Sequence, residues 1–414
     1  MIVEIHGAGF QNKGAEMMLR STIHELSKRI AHFSPALDAG YAIPNSFLSE
    51  CDQILPVRGQ IGLNGYAKRL WRQEFFTSQI GKFLLGRILG MPPSLCNFKT
   101  IDDIDALIDI SGFAFSEQWG TKKTLDFLKL AQYYKRQGKP VILLPQAFGP
   151  FTNQLIREKI RAIIDVSTLT FVRDDQSYQY LKDANVPASK LIKSPDITIS
   201  YARHPKFMNS DAISSFSQSK TAIFVPNFRM LDKGGSLWNT LYVSLLQQAA
   251  VEILKREFEL KILVHDSSND DISLSKRLSE AILTCQPDTS HADVIIEHDP
   301  VKLKHILGES FLVVGSRYHS LVSALSSNTP SIALGWSHKY SELFKDFACP
   351  EYSITHAQNA EHHLVNCIQE LLDPKKNAEI RLKLLERRKN LSAENKYMWE
   401  LVTEVLITTC TQRN

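Results

Sequence analysis

Residues 311–334 read FLVVGSRYHSLVSALSSNTPSIAL. An apolar run, FLVVG, ends in glycine and gives way to a segment with helical spacing. Ser-Ser-Asn-Thr-Pro then breaks that segment, and a second apolar run, PSIAL, follows. A short buried strand, a helix and another buried strand form the repeating unit of a parallel sheet covered on both faces. Arg317 and His319 stand two positions apart where the first strand turns into the helix, and the reading of the chain turns on what needs them there.

Working outward, the same succession recurs along most of the sequence. IVEI (2–5) leads through HGAGFQNKG into a segment whose Leu19, Ile23, Leu26 and Ile30 keep helical spacing. ALIDIS (106–111), PVILLPQ (140–146) and TLTFV (168–172) are further strands with helical stretches between them. A polar, serine-rich stretch at 201–220 reads as a linker. The rhythm then restarts with TAIFV (221–225), LKILVH (260–265) and DVIIE (293–297) ahead of FLVVG and PSIAL. The expectation is an α/β protein of two doubly wound domains facing a central cleft. The boundaries predicted are 1–205 and 206–373, with a charged surface helix at 374–395 and an amphipathic one at 396–409.

At 414 residues the chain is long enough for two cores of ordinary size. With 43% hydrophobic and 22% charged residues it belongs to neither the disordered nor the fibrous class. A net charge of +4 is too small to argue for nucleic acid. Cysteines at 51, 96, 285, 349, 367 and 410 are widely spaced and form no CxxC pair, which fits reduced thiols better than a disulfide framework. The first residues lack the pattern of a secretory leader, and no stretch reaches the ~18–20 apolar residues of a membrane span. A soluble, cytoplasmic protein is expected.

Ligands of doubly wound sheets bind beyond the carboxyl ends of the strands, so the residues that follow each strand are the candidates. Asn12, Gly14 and Glu16 lie in the turn after the first strand, and Arg173 follows TLTFV. Arg229 follows AIFVPN, and His265 follows KILV. Ser316, Arg317 and His319 follow FLVVG, and His338 and Lys339 follow IALGW. Recurrence of Arg173, Arg229, Arg317 and Lys339 at one topological place predicts an anion-binding pocket drawn from both domains, since guanidinium forks and helix N-termini bind anions together. Singly, each has a plainer use: Arg173 can pair with Asp174 or Asp175, and His319 can cap the helix it opens. The glycine spacing in 7–14 misses the dinucleotide pattern, and no His/Cys/Asp cluster has metal-ligand spacing. Neither a cofactor nor a metal is expected.

These pieces resemble the polysaccharide pyruvyl transferase family over roughly residues 2–345. The resemblance rests on NKGAE (12–16), PQAFGPF (145–151), VRDDQS (172–177), SPD (194–196) and, above all, SRYHSLVSAL followed by PSIALGWSHKY. It departs at Asn328, where related sequences often carry glycine; asparagine also tolerates positive φ. SGFAFS is less glycine-rich than the usual motif, which bears on the acceptor. The resemblance implies a GT-B-like pair of Rossmann-like domains, with the acceptor on the N-terminal side, the donor on the C-terminal side, and a C-terminal helix returning to the first domain. It also implies phosphoenolpyruvate as co-substrate, a glycan or lipid-linked glycan precursor as acceptor, and a pyruvate ketal of a surface polysaccharide (exopolysaccharide or capsule) as product.

Phosphoenolpyruvate concentrates a carboxylate and a phosphate on a small frame, which suits several arginines and a lysine. Ketal formation needs a proton on its methylene carbon, and a histidine is suited to give it near neutral pH. His319 is therefore assigned as acid and Arg317 as anion holder. Asn12, Gly14, Glu16, Arg173, Arg229, His265, Ser316, His338 and Lys339 are assigned as substrate contacts. A nucleotide-sugar glycosyltransferase on the same fold is the rival enzyme. Ser323 stands where retaining members often carry a ribose-binding glutamate, which counts against it. A non-catalytic glycan-binding relative is the remaining alternative, and its cheapest sign would be loss of the Arg-x-His pair.

Residues 66–89, YAKRLWRQEFFTSQIGKFLLGRIL, sit within a basic insertion spanning 58–98 and carry five Lys/Arg against one acid, a local +4 that equals the net charge of the chain. Aromatic and basic residues interleaved in this way lie on anionic lipid, or the segment packs on its own domain as an insertion helix. The first alternative predicts peripheral contact with the inner face of the membrane.

Overall fold

The apolar runs become the central strands of two separate parallel sheets. The computed structural model describes residues 1–38, 43–44, 47, 50–54, 98–201, 220–285 and 292–411. The segment 66–89, for which a membrane contact was expected, and most of the 201–220 linker lie outside these residues. The chain divides into one unit of Met1–Phe10, Met18–Ser194 and Lys396–Asn414 and a second of Gln11–Met17 and Pro195–Asn395. The division falls at 194/195, and the NKGAE turn groups with the second unit.

In the first unit β1 (Ile2–His6), β2 (Ser34–Asp38), β3 (Asp52–Ile54), β4 (Phe98–Lys99), β5 (Ala106–Asp109), β6 (Val141–Gln146), β7 (Leu169–Val172) and β8 (Ile192–Lys193) form one sheet in the order β4-β3-β2-β1-β5-β6-β7-β8. Every pairing is parallel. Helices α1 (Lys13–Arg29), α2 (Lys122–Arg136), α3 (Gln154–Val166) and α4 (Asp175–Asp183) connect them. The stripe Ile156, Ile160, Ile163 and Ile164 of α3 is buried, in the i, i+4, i+7, i+8 spacing of one helix face. Asp174 caps α4, its carboxylate accepting from the Ser177 amide at 2.7 Å. That gives the VRDDQS motif a structural duty independent of Arg173.

The second unit holds β9 (Thr221–Val225), β10 (Glu259–Val264), β11 (Ala292–Ile296), β12 (Leu312–Gly315), β13 (Ser331–Leu334) and β14 (Ser353–Ile354), in the order β11-β10-β9-β12-β13-β14 and again all parallel. Its helices are α5 (Arg229–Asp232), α6 (Ser236–Leu254), α7 (Asn269–Cys285), α8 (Pro300–Glu309), α9 (Tyr318–Ser326), α10 (His338–Asp346) and α11 (Ala360–Leu372), and α12 (Pro374–Thr411) begins in it, its residues from Lys396 grouping with the first unit. Both units are thus doubly wound, Rossmann-like α/β domains. Strand order reverses between β1 and β5 in the first sheet and between β9 and β12 in the second, and such switch points are where ligands bind.

Residues 374–411 form one continuous helix of 38 residues, not two. Nor is its first half a surface helix: Asn377, Ile380, Leu384 and Leu391 are buried. Arg381 donates to the carbonyls of Ser310 and Phe311 at 2.8 and 3.2 Å and to that of Asn328 at 3.3 Å. Asn328 does take positive φ, 64°, just past the end of α9.

Candidate active site

Arg317 and His319 sit at the switch point of the second sheet, immediately after β12. Ser316 fixes the backbone there. Its amide donates to the Val225 carbonyl of β9 at 2.9 Å, and its own carbonyl accepts from Asn227 Nδ2 and the Tyr340 hydroxyl, both at 2.7 Å. Its hydroxyl accepts from Tyr242 at 2.8 Å. Burial pushes the pKa of both tyrosines up, so they remain protonated donors. Ser316, assigned above as a substrate contact, therefore braces the turn from behind.

Arg317 is held by two carboxylates that follow β10, Asp266 in the loop and Asp271 in the first turn of α7. Its Nη1 lies 3.0 Å from Asp266, and its Nε donates to Asp271 at 2.7 Å, with Nη2 2.5 Å from the same carboxylate. Burial would lower the arginine's pKa, but Asp271 and Asp266 more than offset it and the net direction is upward. Asp271 also accepts from the Phe228 amide at 3.0 Å, which ties the loop after β9 into the same cluster. Arg229, which ends that loop, turns its guanidinium to Asp232 within its own short helix and is partly exposed.

Residues 11–13 run alongside 265–267. Asn12 forms an antiparallel bridge with Asp266, the Lys13 amide donates to the His265 carbonyl at 3.3 Å, and the Ser267 amide donates to the Gln11 carbonyl at 3.0 Å. Asn12 caps α1, its Oδ1 accepting from the Gly14 amide at 3.0 Å. Lys13 and Glu16 form a buried ion pair at 3.0 Å. Gly14 has a steric duty: a Cβ there would stand 2.2 Å from His319 Nδ1 and 2.4 Å from its Cγ. NKGAE is thus the segment that caps a helix, pairs with the 265–267 loop and leaves room for the imidazole.

His319 occupies that room. Its Nε2 is 3.4 Å from Asp196 Oδ2, a charge contact without hydrogen-bond geometry, and its side chain is 13% exposed. With Nε2 buried, Nδ1 is the nitrogen left to meet a ligand. Asp196, the acid of SPD, is held rigidly: Thr198 donates its amide and hydroxyl to Oδ1 at 2.9 and 2.6 Å, and Asn395 Nδ2 donates to its carbonyl at 2.9 Å. Buried Lys304 secures the following segment through the Thr198 and Tyr201 carbonyls.

His265 lies beneath these charges. Burial, then His319, Arg317 and Lys13, lower its pKa to about 3, so it is neutral, and its Nδ1 is buried without a hydrogen-bond partner. Lys339, in the first turn of α10 next to His338, places its ammonium 4.8 Å from the Trp336 ring and 5.7 Å from the ring of Tyr318. The Tyr318 ring in turn meets that of His319 edge-on at 5.2 Å.

The second unit therefore brings together Asn12, Gly14, His265, Ser316, Arg317 and His319, with Lys339 against the Tyr318 ring; Glu16 pairs with Lys13, His338 precedes Lys339 in the first turn of α10, and Arg229 engages its own turn. Arg173 belongs to the first unit, where it is buried and its amide donates to the Gln146 carbonyl at 3.1 Å. The sequence reading missed the acids Asp196, Asp266 and Asp271. The signal was present in SPD and in the acid-rich HDSSNDD loop (265–271), each placed close to a strand end.

The profile of the family described as polysaccharide pyruvyl transferase matches residues 12–338. A curated relative, amylovoran biosynthesis protein AmsJ of Erwinia amylovora, is 21% identical over 371 residues, covering 85% of this chain and 86% of its own. Among solved structures, a putative UDP-N-acetylglucosamine 2-epimerase from Listeria monocytogenes superposes with a TM-score of 0.56 at 11% identity, covering 92% of this chain and 90% of its own. HepE from Anabaena, solved with UDP and glucose, gives 0.55 at 11% identity, covering 97% and 99%. At such identities the two structures speak for the fold alone.

Proposed function

Because this chain belongs to the polysaccharide pyruvyl transferase family, we propose that it moves the pyruvyl group of phosphoenolpyruvate onto two hydroxyls of a glycan or lipid-linked glycan precursor. It is a transferase of polysaccharide biosynthesis, and the proposal concerns its donor, its acceptor and the residues that act. In the reaction the methylene carbon gains a proton, both hydroxyl oxygens bond to C2, and the C2–O bond to phosphate breaks. Of the two hydroxyl protons released, one balances the proton given to the methyl group and the other leaves with phosphate.

His319 supplies the proton to the methylene from Nδ1, with Asp196 standing behind Nε2. The carrying observation is this Asp196–His319 pair, set over Gly14 at the strand switch of the second sheet. Arg317 is already tied to Asp266 and Asp271, so it fixes the turn that presents His319 and adds its remaining field to the donor's anionic groups. Lys339 is the cation proposed to meet those groups directly. Likeness to a protein of amylovoran biosynthesis supports an exopolysaccharide setting. The basic segment 66–89 is proposed to bring the enzyme to anionic lipid.

The test is phosphate release on mixing the protein with phosphoenolpyruvate and a panel of glycans and lipid-linked glycans. Wild type should release phosphate only with a suitable acceptor. His319→Ala should bind phosphoenolpyruvate yet lose ~10²–10⁴-fold in turnover. Near-full release by that variant would remove His319 from the role.

A further inference from the structure

The first sheet has its own strand switch, between β1 and β5, and its last paired residues are His6 and Asp109. Asp109 is fully buried, yet both of its oxygens are occupied. Oδ2 meets His6 Nδ1 at 2.5 Å and accepts from the Ser111 hydroxyl at 2.7 Å. Oδ1 accepts from Gln146 Nε2 at 2.9 Å and from the Ser111 amide at 3.1 Å. The close approach of the two strand ends depends on Gly7, at φ 83°, where a Cβ would stand 2.4 Å from the Ser111 hydroxyl oxygen and 2.7 Å from its amide nitrogen. The His6 ring leans on Phe127, centroid to centroid 5.0 Å, and the side chain stays 23% exposed.

A carboxylate against Nδ1 places a proton there and leaves Nε2 as the basic nitrogen. Among the described residues, Nε2 has no protein partner. A strand brace would need the Nδ1 contact alone; an oriented imidazole with its second nitrogen open, at the place where doubly wound sheets bind ligands, is the arrangement of a general base. The ligand class follows from charge. Asp109 stands directly behind the ring, so a phosphate or carboxylate would be repelled, whereas an uncharged hydroxyl would not.

We propose that the His6–Asp109 pair is a hydroxyl-activating site for the sugar acceptor. This rests on the pyruvyl-transfer reading, which requires two hydroxyls to lose their protons. At His6 the O–H bond breaks toward Nε2, its electron pair stays on the oxygen, which thereby becomes the nucleophile, and the imidazolium is balanced by Asp109. Afterwards the proton passes from the ring to water. His6 is the catalytic residue of this step, and Asp109, Ser111 and Gln146 position it.

The experiment uses the full chain and a glycan selected because wild type releases phosphate with it. His6→Gln keeps an amide for Asp109 but has no proton acceptor of comparable basicity. It should lose ~10²–10⁴-fold in kcat with little change in acceptor KM, with calorimetric phosphoenolpyruvate binding and melting temperature unchanged. His6→Ala should regain part of its turnover when free imidazole is added. Turnover by His6→Gln within about tenfold of wild type would overturn the proposal. So would a lowered melting temperature together with no imidazole rescue of His6→Ala, which is the behaviour of a brace. Should wild type release no phosphate with any glycan, the pyruvyl-transfer reading fails and this inference falls with it.

Discussion

Gly14→Ala isolates the geometry of His319 with a single methyl group. The backbone of Gly14 does not have positive φ, so alanine meets no conformational penalty, and in a helix interior it would be favoured by up to ~1 kcal/mol. The cost is steric. The new Cβ would lie 2.2 Å from His319 Nδ1, 2.4 Å from Cγ and 2.6 Å from Cβ. Non-bonded carbons settle at about 3.5–4.0 Å, so the ring or the helix start must retreat by more than about 1 Å. Overpacking of this kind costs ~1–3 kcal/mol, partly offset by helix propensity, and ~1 kcal/mol moves the melting point of a domain of this size by about 2–4 °C. A displacement of ~1 Å at a reacting group costs up to ~10²-fold in rate. The variant should therefore lose about two orders of magnitude in phosphate release while melting only a few degrees lower. Adding His319→Ala removes the ring but leaves the Cβ of residue 319 2.6 Å from the new methyl, so the double variant should recover part of the lost stability without recovering turnover. Full turnover by Gly14→Ala, or a double variant no more stable than the single, would refute the packing of His319 against Gly14.

Asp196→Asn keeps an oxygen for Thr198 but removes the charge facing His319, and turnover should fall at least ~10-fold with phosphoenolpyruvate affinity unchanged; calorimetry and a phosphate assay on one preparation check it. His265 gives a stability signature. Its pKa is lowered from 6.5 to about 3 in the fold, so below pH 6.5 the unfolded chain binds a proton that the native protein refuses. That contribution is fully present above pH 6.5 and is lost as pH falls toward about 3, by up to ~1.4 kcal/mol per pH unit. Urea melts across this window should show a shallower acid dependence in His265→Gln, and an unchanged slope would contradict the buried neutral ring. For residues 66–89, replacing Lys68, Arg69 and Arg72 with glutamine should weaken binding to anionic vesicles by ~1 kcal/mol per residue at low salt. Activity on a soluble acceptor should not change, and absence of wild-type binding would reduce the segment to an insertion.

The central strands were legible because each is a short, unbroken apolar run. The edges were not. SPALD, DQI, FK, IK and SI, which form β2, β3, β4, β8 and β14, carry proline or charge or span two or three residues, and only a neighbouring strand makes them strands. The break expected near residue 395 followed from the polar Ser-Ala-Glu-Asn. Asn395 is in fact buried, with Nδ2 donating to Asp196 and Ser200, so polarity there serves the site rather than a helix end. Arg317, His319 and Lys339 stood out because cations at strand ends are conspicuous. Their acid partners did not, since Asp266 and Asp271 read locally as a solvated loop. His6 and Asp109 escaped for another reason: each looked like the ordinary end of a strand, and only the parallel register of β1 and β5 puts them face to face.

The carboxylate clamp on Arg317 also bears on how related sequences are read. Removing one member of a buried ion cluster typically costs ~3–5 kcal/mol, so Arg317, Asp266 and Asp271 should drift as a single heritable unit under selection for folding alone. A descendant that had lost its chemistry would keep all three for that reason. His319, facing Asp196 without a hydrogen bond, carries less of that structural duty and would be free to decay. In this lineage the arginine of Arg-x-His therefore marks an intact scaffold, and the histidine marks a working enzyme.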